Sequence, residues 1–329
     1  MLMDSNGSVS LVWASMPFGM PLTNFGDALS PIVVSAISGR RVKQSAFRGN
    51  TERLSAIGTI AHNFANGKVH IWGSGLDRSI DPLDSTSSAH AFPPDTDFVV
   101  HACRGANTQD VFERHGIPVT NAFGDPGWCC NKLWPDLVGN DPCYDLGIVL
   151  HLSEWESHAL DARPLANFAR YEIPETYSGR VCLINTITDR SVDGVRRVVE
   201  RISRCRRILS TSLHGIVVAE ALGIPAFFFG FHGQNGPTVV ATDDNDMMDH
   251  RMRDLYSATG KPEVPAYIQA RETQSNWKDI LDWSLEQSSV LDFDPGPLFN
   301  RFPLEPVVSL DDKIWPVRAD FLDPSNTYL

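Results

Sequence analysis

The chain has 329 residues, 42% hydrophobic and 21% charged, enough to bury the core of one large or two ordinary domains and unlike a disordered, collagenous or fibrous chain. Its 28 Lys and Arg against 40 Asp and Glu leave a formal charge of -12, which excludes the general electrostatic footprint of a nucleic-acid or anionic-membrane binder. An anionic ligand has to be held by a few local cations.

Met1 to Ser10 lacks a basic stretch followed by an apolar one, so no signal peptide is read and a soluble protein is expected. The segment Asn24-Phe25-Gly26-Asp27 opens a helix in which Ser30 and Pro31 suit the cap and first position, and Gly39 suits the end. From Arg53 onward short apolar runs alternate with helix-like segments. Leu54 to Ile57, Val69 to Trp72 and Phe98 to Ala102 read as strands, with a helical turn over Thr59 to Phe64 and a reversal at Asn66-Gly67. A helix capped by Asn107 stops at Gly116, and a short strand is expected near Val119.

Asp125 to Tyr144, with Pro126, Gly127, Pro135, Gly139 and Pro142, breaks the periodicity and reads as a linker. Strands follow at Leu146 to Leu152 and Val181 to Asn185, then a helix whose Val195, Val198, Val199 and Ile202 share one face. Arg207 to Leu209 is a strand, Ser210-Thr211-Ser212 caps a helix to Leu222, and Ile224 to Phe229 is a buried strand. The apolar run Ile216 to Phe231 contains Glu220, Gly223 and Pro225, so it reads as that buried helix and strand and not as a membrane span. Beyond Trp277 an amphipathic helix to Leu285 precedes a Pro-rich return. The expected fold is α/β, with two Rossmann-like domains over 1–140 and 141–329, the return tail belonging to the second. Such halves face one another across a cleft between the carboxyl ends of their strands, where ligands of open α/β sheets bind.

Six cysteines without a CxxC pair suggest neither a disulfide framework nor a zinc site, and no metal constellation is read. The Ser210–Gly215 segment carries the most chemistry. The three hydroxyls of Ser210, Thr211 and Ser212 and the free backbone N–H groups at a helix start, with Gly215 beside them, form an anion site, and His214 can donate or accept a proton near neutral pH. A plain Ser/Thr cap beside a structurally satisfied histidine is the competing reading. Asp27 sits where a helix dipole favours its ionised form, as a general base or a mere cap, with Asn24 beside it as a binding candidate. Arg104 follows a strand, where its fork of donors can grip a carboxylate or phosphate; Arg78 and Arg53 are weaker candidates of the same kind. Asp125 and His151 stand at further strand ends, as a turn former and a satisfied polar side chain or as substrate contacts. Met247-Met248 and Phe227-Phe228-Phe229 read as packing.

Taken together, Asn24-Phe25-Gly26-Asp27, Trp72-Gly73-Ser74-Gly75, Arg104-Gly105, Glu113-Arg114-His115-Gly116-Ile117, Gly124-Asp125-Pro126, His151 and Ser212-Leu213-His214-Gly215 ahead of Gly223-Ile224-Pro225 resemble the polysaccharide pyruvyl transferase family. Arg253-Asp254-Leu255-Tyr256 resembles the family's later segment, with Leu255 in place of an aromatic. The resemblance implies a GT-B-like pair of domains, the second on the donor side. It also implies transfer of the pyruvyl group of phosphoenolpyruvate to sugar hydroxyls of a polysaccharide or its lipid-linked precursor, as a ketal, with phosphoenolpyruvate as donor and no separate cofactor. By the same resemblance His214 is the acid or phosphate-contacting residue and Asp27 the acceptor-hydroxyl base. Ser212-Leu213 stands before His214, so the motif's arginine is missing and Arg104, then Arg78 or Arg53, has to supply its charge. A cytoplasmic protein is expected, and loose attachment to the inner membrane face, where lipid-linked acceptors sit, would leave no trace in the sequence. A nucleotide-sugar glycosyltransferase on the same fold, and a binding protein that has lost the chemistry, are the alternatives.

Overall fold

The computed structural model describes residues 1–15, 21–80, 91–243, 246–288, 291 and 293–324. In chain order the strands are β1 (Val9–Val12), β2 (Leu22–Asn24), β3 (Val42–Gln44), β4 (Arg53–Ser55), β5 (Gly67–Trp72), β6 (Thr96–Ala102), β7 (Leu146–Val149), β8 (Val181–Ile184), β9 (Ile187–Asp189), β10 (Ile208–Ser210), β11 (Ala226–Gly230), β12 (Gly236–Ala241) and β13 (Glu263–Ile268). The α-helices are α1 (Phe25–Ser38), α2 (Ala106–Arg114), α3 (Cys130–Leu133), α4 (Val192–Ser203), α5 (Leu213–Ala221), α6 (His250–Ser257), α7 (Trp277–Glu286) and α8 (Gly296–Phe299). Two compact units divide the chain: Met1–Pro21, Asp27–Leu133 and Phe293–Leu329 form the first, and Leu22–Gly26 with Trp134–Asp292 the second.

The first unit holds a parallel sheet in the order β3-β1-β4-β5-β6. Counted within the unit this is 2-1-3-4-5, a doubly wound order whose direction reverses between β1 and β4. Every residue of β1 is buried, as a strand covered on both faces requires. One core cluster gathers Val12, Phe64, Val69, Ile71, Phe98, Val100 and Phe112.

The second unit repeats the plan. Its sheet runs β12-β13-β11-β10-β7-β8, parallel except for the antiparallel edge strand β12. Without β12 the order is again 2-1-3-4-5, with the reversal between β7 and β10. Helix α4 buries Val195, Val198, Val199 and Ile202, the face expected from their spacing. Helix α5 and strand β11 are buried almost throughout, as the apolar run Ile216 to Phe231 predicts. Among the described residues no helix is long and apolar enough to cross a membrane. All six cysteines are free thiols.

Several local expectations are corrected. Helix α1 begins at Phe25, and Ser30 and Pro31 lie inside it, because Asn24 Oδ1 already accepts the Gly26 N–H at 2.9 Å and caps the first turn. Helix α2 has Gly105 at its N-cap position, two residues before the expected Asn107 cap. No strand forms near Val119; Cys103 pairs instead with Phe123 through a single bridge. The stretch read as a linker, 125 to 144, contains the division between the two units after Leu133, and within it Pro126–Cys129 forms a buried 3-10 turn that runs into α3. The return tail packs on the first unit, where Trp72 Nε1 donates to the Leu298 carbonyl at 2.8 Å and Trp128 stacks on Phe293 at 4.0 Å. Residues 325–329 of that tail lie outside the described residues.

Candidate active site

In the second unit the strand order reverses between β7 and β10, and outside the carboxyl ends of those strands a doubly wound sheet has its ligand crevice. Two segments leave the sheet there: His151–Glu154 after β7 and Thr211–His214 after β10. Ser210, Thr211 and Ser212, expected to act alike, divide the work. Ser210 Oγ accepts the Ser212 N–H at 3.0 Å and so holds the turn to its own strand. Thr211 Oγ1 donates to Glu154 Oε2 and accepts the His151 N–H, so its proton is not available to an anion. Ser212 occupies the N-cap of α5 with no side-chain hydrogen bond among the described residues, beside the helix N-terminus. Gly215 lets α5 approach the sheet, since a Cβ there would lie 2.3 Å from Ser210 Oγ and 2.7 Å from Val149 Cβ.

His214, only 8% exposed, lies in the first turn of α5. Its ring meets the Phe25 ring edge-on at 6.4 Å and fills the space beside Gly26, where a Cβ would stand 2.0 Å from Nδ1. The Asn24-Phe25-Gly26 segment is therefore the wall that fixes the histidine.

His151 takes a different role. Arg251, clamped by Asp249 through 2.8 Å bonds from Nε and Nη2, places Nη1 at 2.7 Å from His151 Nε2. A guanidinium only donates, so Nε2 is the acceptor, while Nδ1 lies 2.7 Å from Ser153 Oγ and faces the Ser153 N–H at 3.3 Å. Burial, helped by the Arg251 charge, pushes the imidazole down to about 4. His151 is neutral near pH 7 and poorly suited to be an acid. For Asp249 burial works upward, but the bonds from Arg251 prevail and hold the carboxyl well below its ordinary range.

Glu154 is the residue that sequence reasoning missed. It is 3% exposed, and its two oxygens accept from Thr211 Oγ1, from Tyr171 OH at 2.9 Å and from the His151 N–H at 3.2 Å. Burial raises the Tyr171 phenol well above its ordinary value, so the phenol remains a donor. One carboxylate thus joins the segments after β7 and β10 to Tyr171, and no local spacing signals this because the donors come from positions 151, 171 and 211.

In the first unit Arg104 follows β6 fully buried, and its Nη1 donates to the hydroxyl of Thr59 in the turn after β4. Gly75 makes room for it, since a Cβ there would stand 2.2 Å from Nη2. Asp27 lies in the first turn of α1, as expected. Asp125 is fully buried and its Oδ1 caps the 3-10 turn through the Gly127 N–H at 2.8 Å. Arg78 is exposed on the loop after β5. Arg53 is corrected: its Nη1 and Nη2 donate to the carbonyls of Gly49, Thr51, Phe47, Ala65 and Asn66, so it ties loops together instead of gripping an anion.

Residues 48–233, more than half of the chain, match the family profile described as Polysaccharide pyruvyl transferase. The chain belongs to the polysaccharide pyruvyl transferase family. The pyruvyl transferase match covers Arg104, Asp125, His151, Glu154, Thr211 and His214, whereas Asn24, Asp27, Asp249 and Arg251 lie outside it. A solved structure of an uncharacterized protein from Klebsiella pneumoniae subsp. pneumoniae is similar at 13% identity over 67% of this chain and 82% of that one, with a TM-score of 0.35. No curated protein matches. Membership makes the chain a transferase of polysaccharide pyruvylation.

Two outcomes follow for this pyruvyl transferase. Glu154→Gln keeps the shape of the side chain but sets an amide NH2 against converging donors, so a loss of about 3 kcal/mol in denaturant unfolding is expected. An unchanged midpoint would show that the network carries no stability. Stability should also fall with acid. His151, and His101 in the first unit, which burial and then the His70 and Arg301 charges bring down to about 4, both titrate below the unfolded value of about 6.5. The unfolded chain therefore binds more protons between those values, and each histidine costs on the order of 3 kcal/mol as pH drops from 6.5 to 4. Urea unfolding at pH 7 and pH 5 checks this, and His101→Asn should flatten the slope.

Proposed function

We propose that the protein transfers the pyruvyl group of phosphoenolpyruvate to two hydroxyls of one sugar, forming a ketal on a polysaccharide or its lipid-linked precursor. The observation that carries this reading is His214 in the first turn of α5 at the strand-order reversal, with the Ser212 hydroxyl beside it. The reaction needs a proton donor, an acceptor for the hydroxyl proton, and donors for carboxylate and phosphate. His214 protonates the methylene carbon, leaving a cation-like centre at C2. A sugar hydroxyl adds there and gives up its proton to the base, phosphate leaves with the C–O bonding pair to regenerate a cation-like C2, and a second hydroxyl adds to it and loses its proton to the departing phosphate, closing the ketal.

His151, neutral and held on Nε2 by Arg251, does not compete for the acid's role. It is assigned to substrate contact with Ser212, the helix N-terminus and Gly215. In the first unit Arg104 is assigned the charge that the motif lacks at Ser212, and Asp27 the hydroxyl proton; Asn24 and Asp125 support their turns. The donor is itself the activated compound, so no separate cofactor enters, and an acceptor carried on lipid would bring the protein to the inner membrane face from a cytoplasmic location.

The test is phosphate release from phosphoenolpyruvate with and without extracted capsular or exopolysaccharide oligosaccharides. Release that depends on the acceptor, with a ketal methyl signal in the product, is expected. Acceptor-dependent turnover of a nucleotide sugar without any from phosphoenolpyruvate would overturn the reading.

A further inference from the structure

Two fully buried arginines of this chain are satisfied to very different degrees. Arg53 delivers its two terminal nitrogens to five carbonyls, whereas the Arg170 guanidinium makes a single hydrogen bond among the described residues, from Nη2 to the Phe229 carbonyl at 3.1 Å. Its Nε and Nη1 are buried without a partner, although the residue has no solvent exposure. A buried guanidinium with idle donors is expensive, and native proteins keep such groups where something outside the chain completes them.

Arg170 does not stand alone. Its own N–H donates to the carbonyl of Arg271 at 3.1 Å, just past β13. The Arg271 guanidinium lies 3.5 Å over the Phe231 ring and 5.0 Å from the Phe168 ring, makes no hydrogen bond or ion pair among the described residues, and has its Nε buried without a partner. Arg170 lies likewise 3.6 Å over the Phe229 ring. Stacking covers the faces of both guanidiniums and leaves their in-plane N–H edges for acceptors. The neighbouring carboxylate, Glu154, already has its oxygens engaged by Thr211, Tyr171 and His151.

We propose that Arg170 and Arg271 form an anion subsite at the carboxyl ends of β11 and β13, and that it takes a phosphoryl group. Two guanidinium edges from separate segments offer more donors than one carboxylate accepts in its plane, and the three oxygens of a phosphoryl group suit them. Arg271, partly exposed, makes the direct contact, while Arg170 supplies the buried charge behind it. That this phosphoryl group belongs to the donor rests on the proposed function; the subsite itself does not.

The experiment is titration calorimetry of the full chain with inorganic phosphate, phosphoenolpyruvate and pyruvate, on the wild type, Arg271→Ala and Arg170→Lys. Phosphate and phosphoenolpyruvate should bind the wild type, and pyruvate should not compete with phosphate. Arg271→Ala, at a partly exposed position that the fold tolerates, should weaken phosphate about tenfold or more. No phosphate binding to the wild type, or equal binding to Arg271→Ala, overturns the subsite. Phosphate binding through Arg271 in a protein that does not turn over phosphoenolpyruvate supports the subsite and removes the donor reading. Turnover with an unchanged KM for phosphoenolpyruvate in Arg271→Ala, together with unchanged phosphate binding, removes the subsite and leaves the donor reading standing.

Discussion

His214→Ala is expected to lower pyruvyl transfer by about 10²–10⁴-fold, the usual range for loss of a general acid or base. The reason is positional. Of the two histidines beside the reversal point, His151 has one ring nitrogen held by Arg251 and the other at Ser153, whereas His214 lies beside the unclaimed Ser212 hydroxyl in the first turn of α5. The cost in stability should be small, about 1–2 kcal/mol, because the imidazole is lost from a tight wall and not from an extended core. Circular dichroism and urea unfolding check the fold, and acceptor-dependent phosphate release checks the chemistry. A variant with full activity removes His214 from the mechanism, and a variant that fails to fold would require His214→Gln in its place.

Gly26→Ala should be a strongly damaging single methyl. On helix propensity alone the change ought to help by about 1 kcal/mol, since Gly26 sits in the first turn of α1. Packing reverses the sign. The added Cβ would stand 2.0 Å from His214 Nδ1 and 2.8 Å from His214 Cβ, so turning the ring does not relieve the contact and α1 or α5 must move. Overpacking of this kind costs about 1–3 kcal/mol, and displacing His214 should take most of the transfer activity with it. A double-mutant cycle with His214→Ala separates the effects: the stability cost of Gly26→Ala should shrink once the ring is gone. An equal cost in both backgrounds would mean that the glycine serves the helix start and not the histidine.

The repeated parallel plan was legible because its signals are local. Four branched side chains at helical spacing mark α4, and the unbroken apolar run marks α5 and β11. The start of α1 is legible at Asn24-Phe25-Gly26-Asp27, whereas Ser30 and Pro31, which suit a cap and a first helical position, lie inside the helix, because the Asn24 side chain provides the cap six residues before Ser30. The pairing of β2 with β9 joins residues more than 160 positions apart and leaves no mark in either three-residue segment. The return tail is similar, since a Trp72 indole waiting for the Leu298 carbonyl cannot be read from either neighbourhood.

At the site, residue type was legible and allegiance was not. His214 was visible as a chemically capable side chain at a helix start. That Thr211 serves Glu154 while Ser212 serves no one is decided by donors arriving from elsewhere in the fold. Arginines show it most plainly: Arg53, Arg104 and Arg170 are all fully buried, yet one meets five carbonyls, one reaches the Thr59 hydroxyl, and one keeps two nitrogens idle.

The most direct test of the central claim is a thermal-shift titration with phosphoenolpyruvate, run beside UDP-, GDP- and CMP-sugars, on the wild type, His214→Ala and Arg104→Ala. A ligand bound only by the native state must raise its melting temperature. Stabilisation by phosphoenolpyruvate that is lost or sharply reduced in both variants, with no response to the nucleotide sugars, is expected. Stabilisation by a nucleotide sugar in its place would contradict pyruvyl transfer as the activity of this chain.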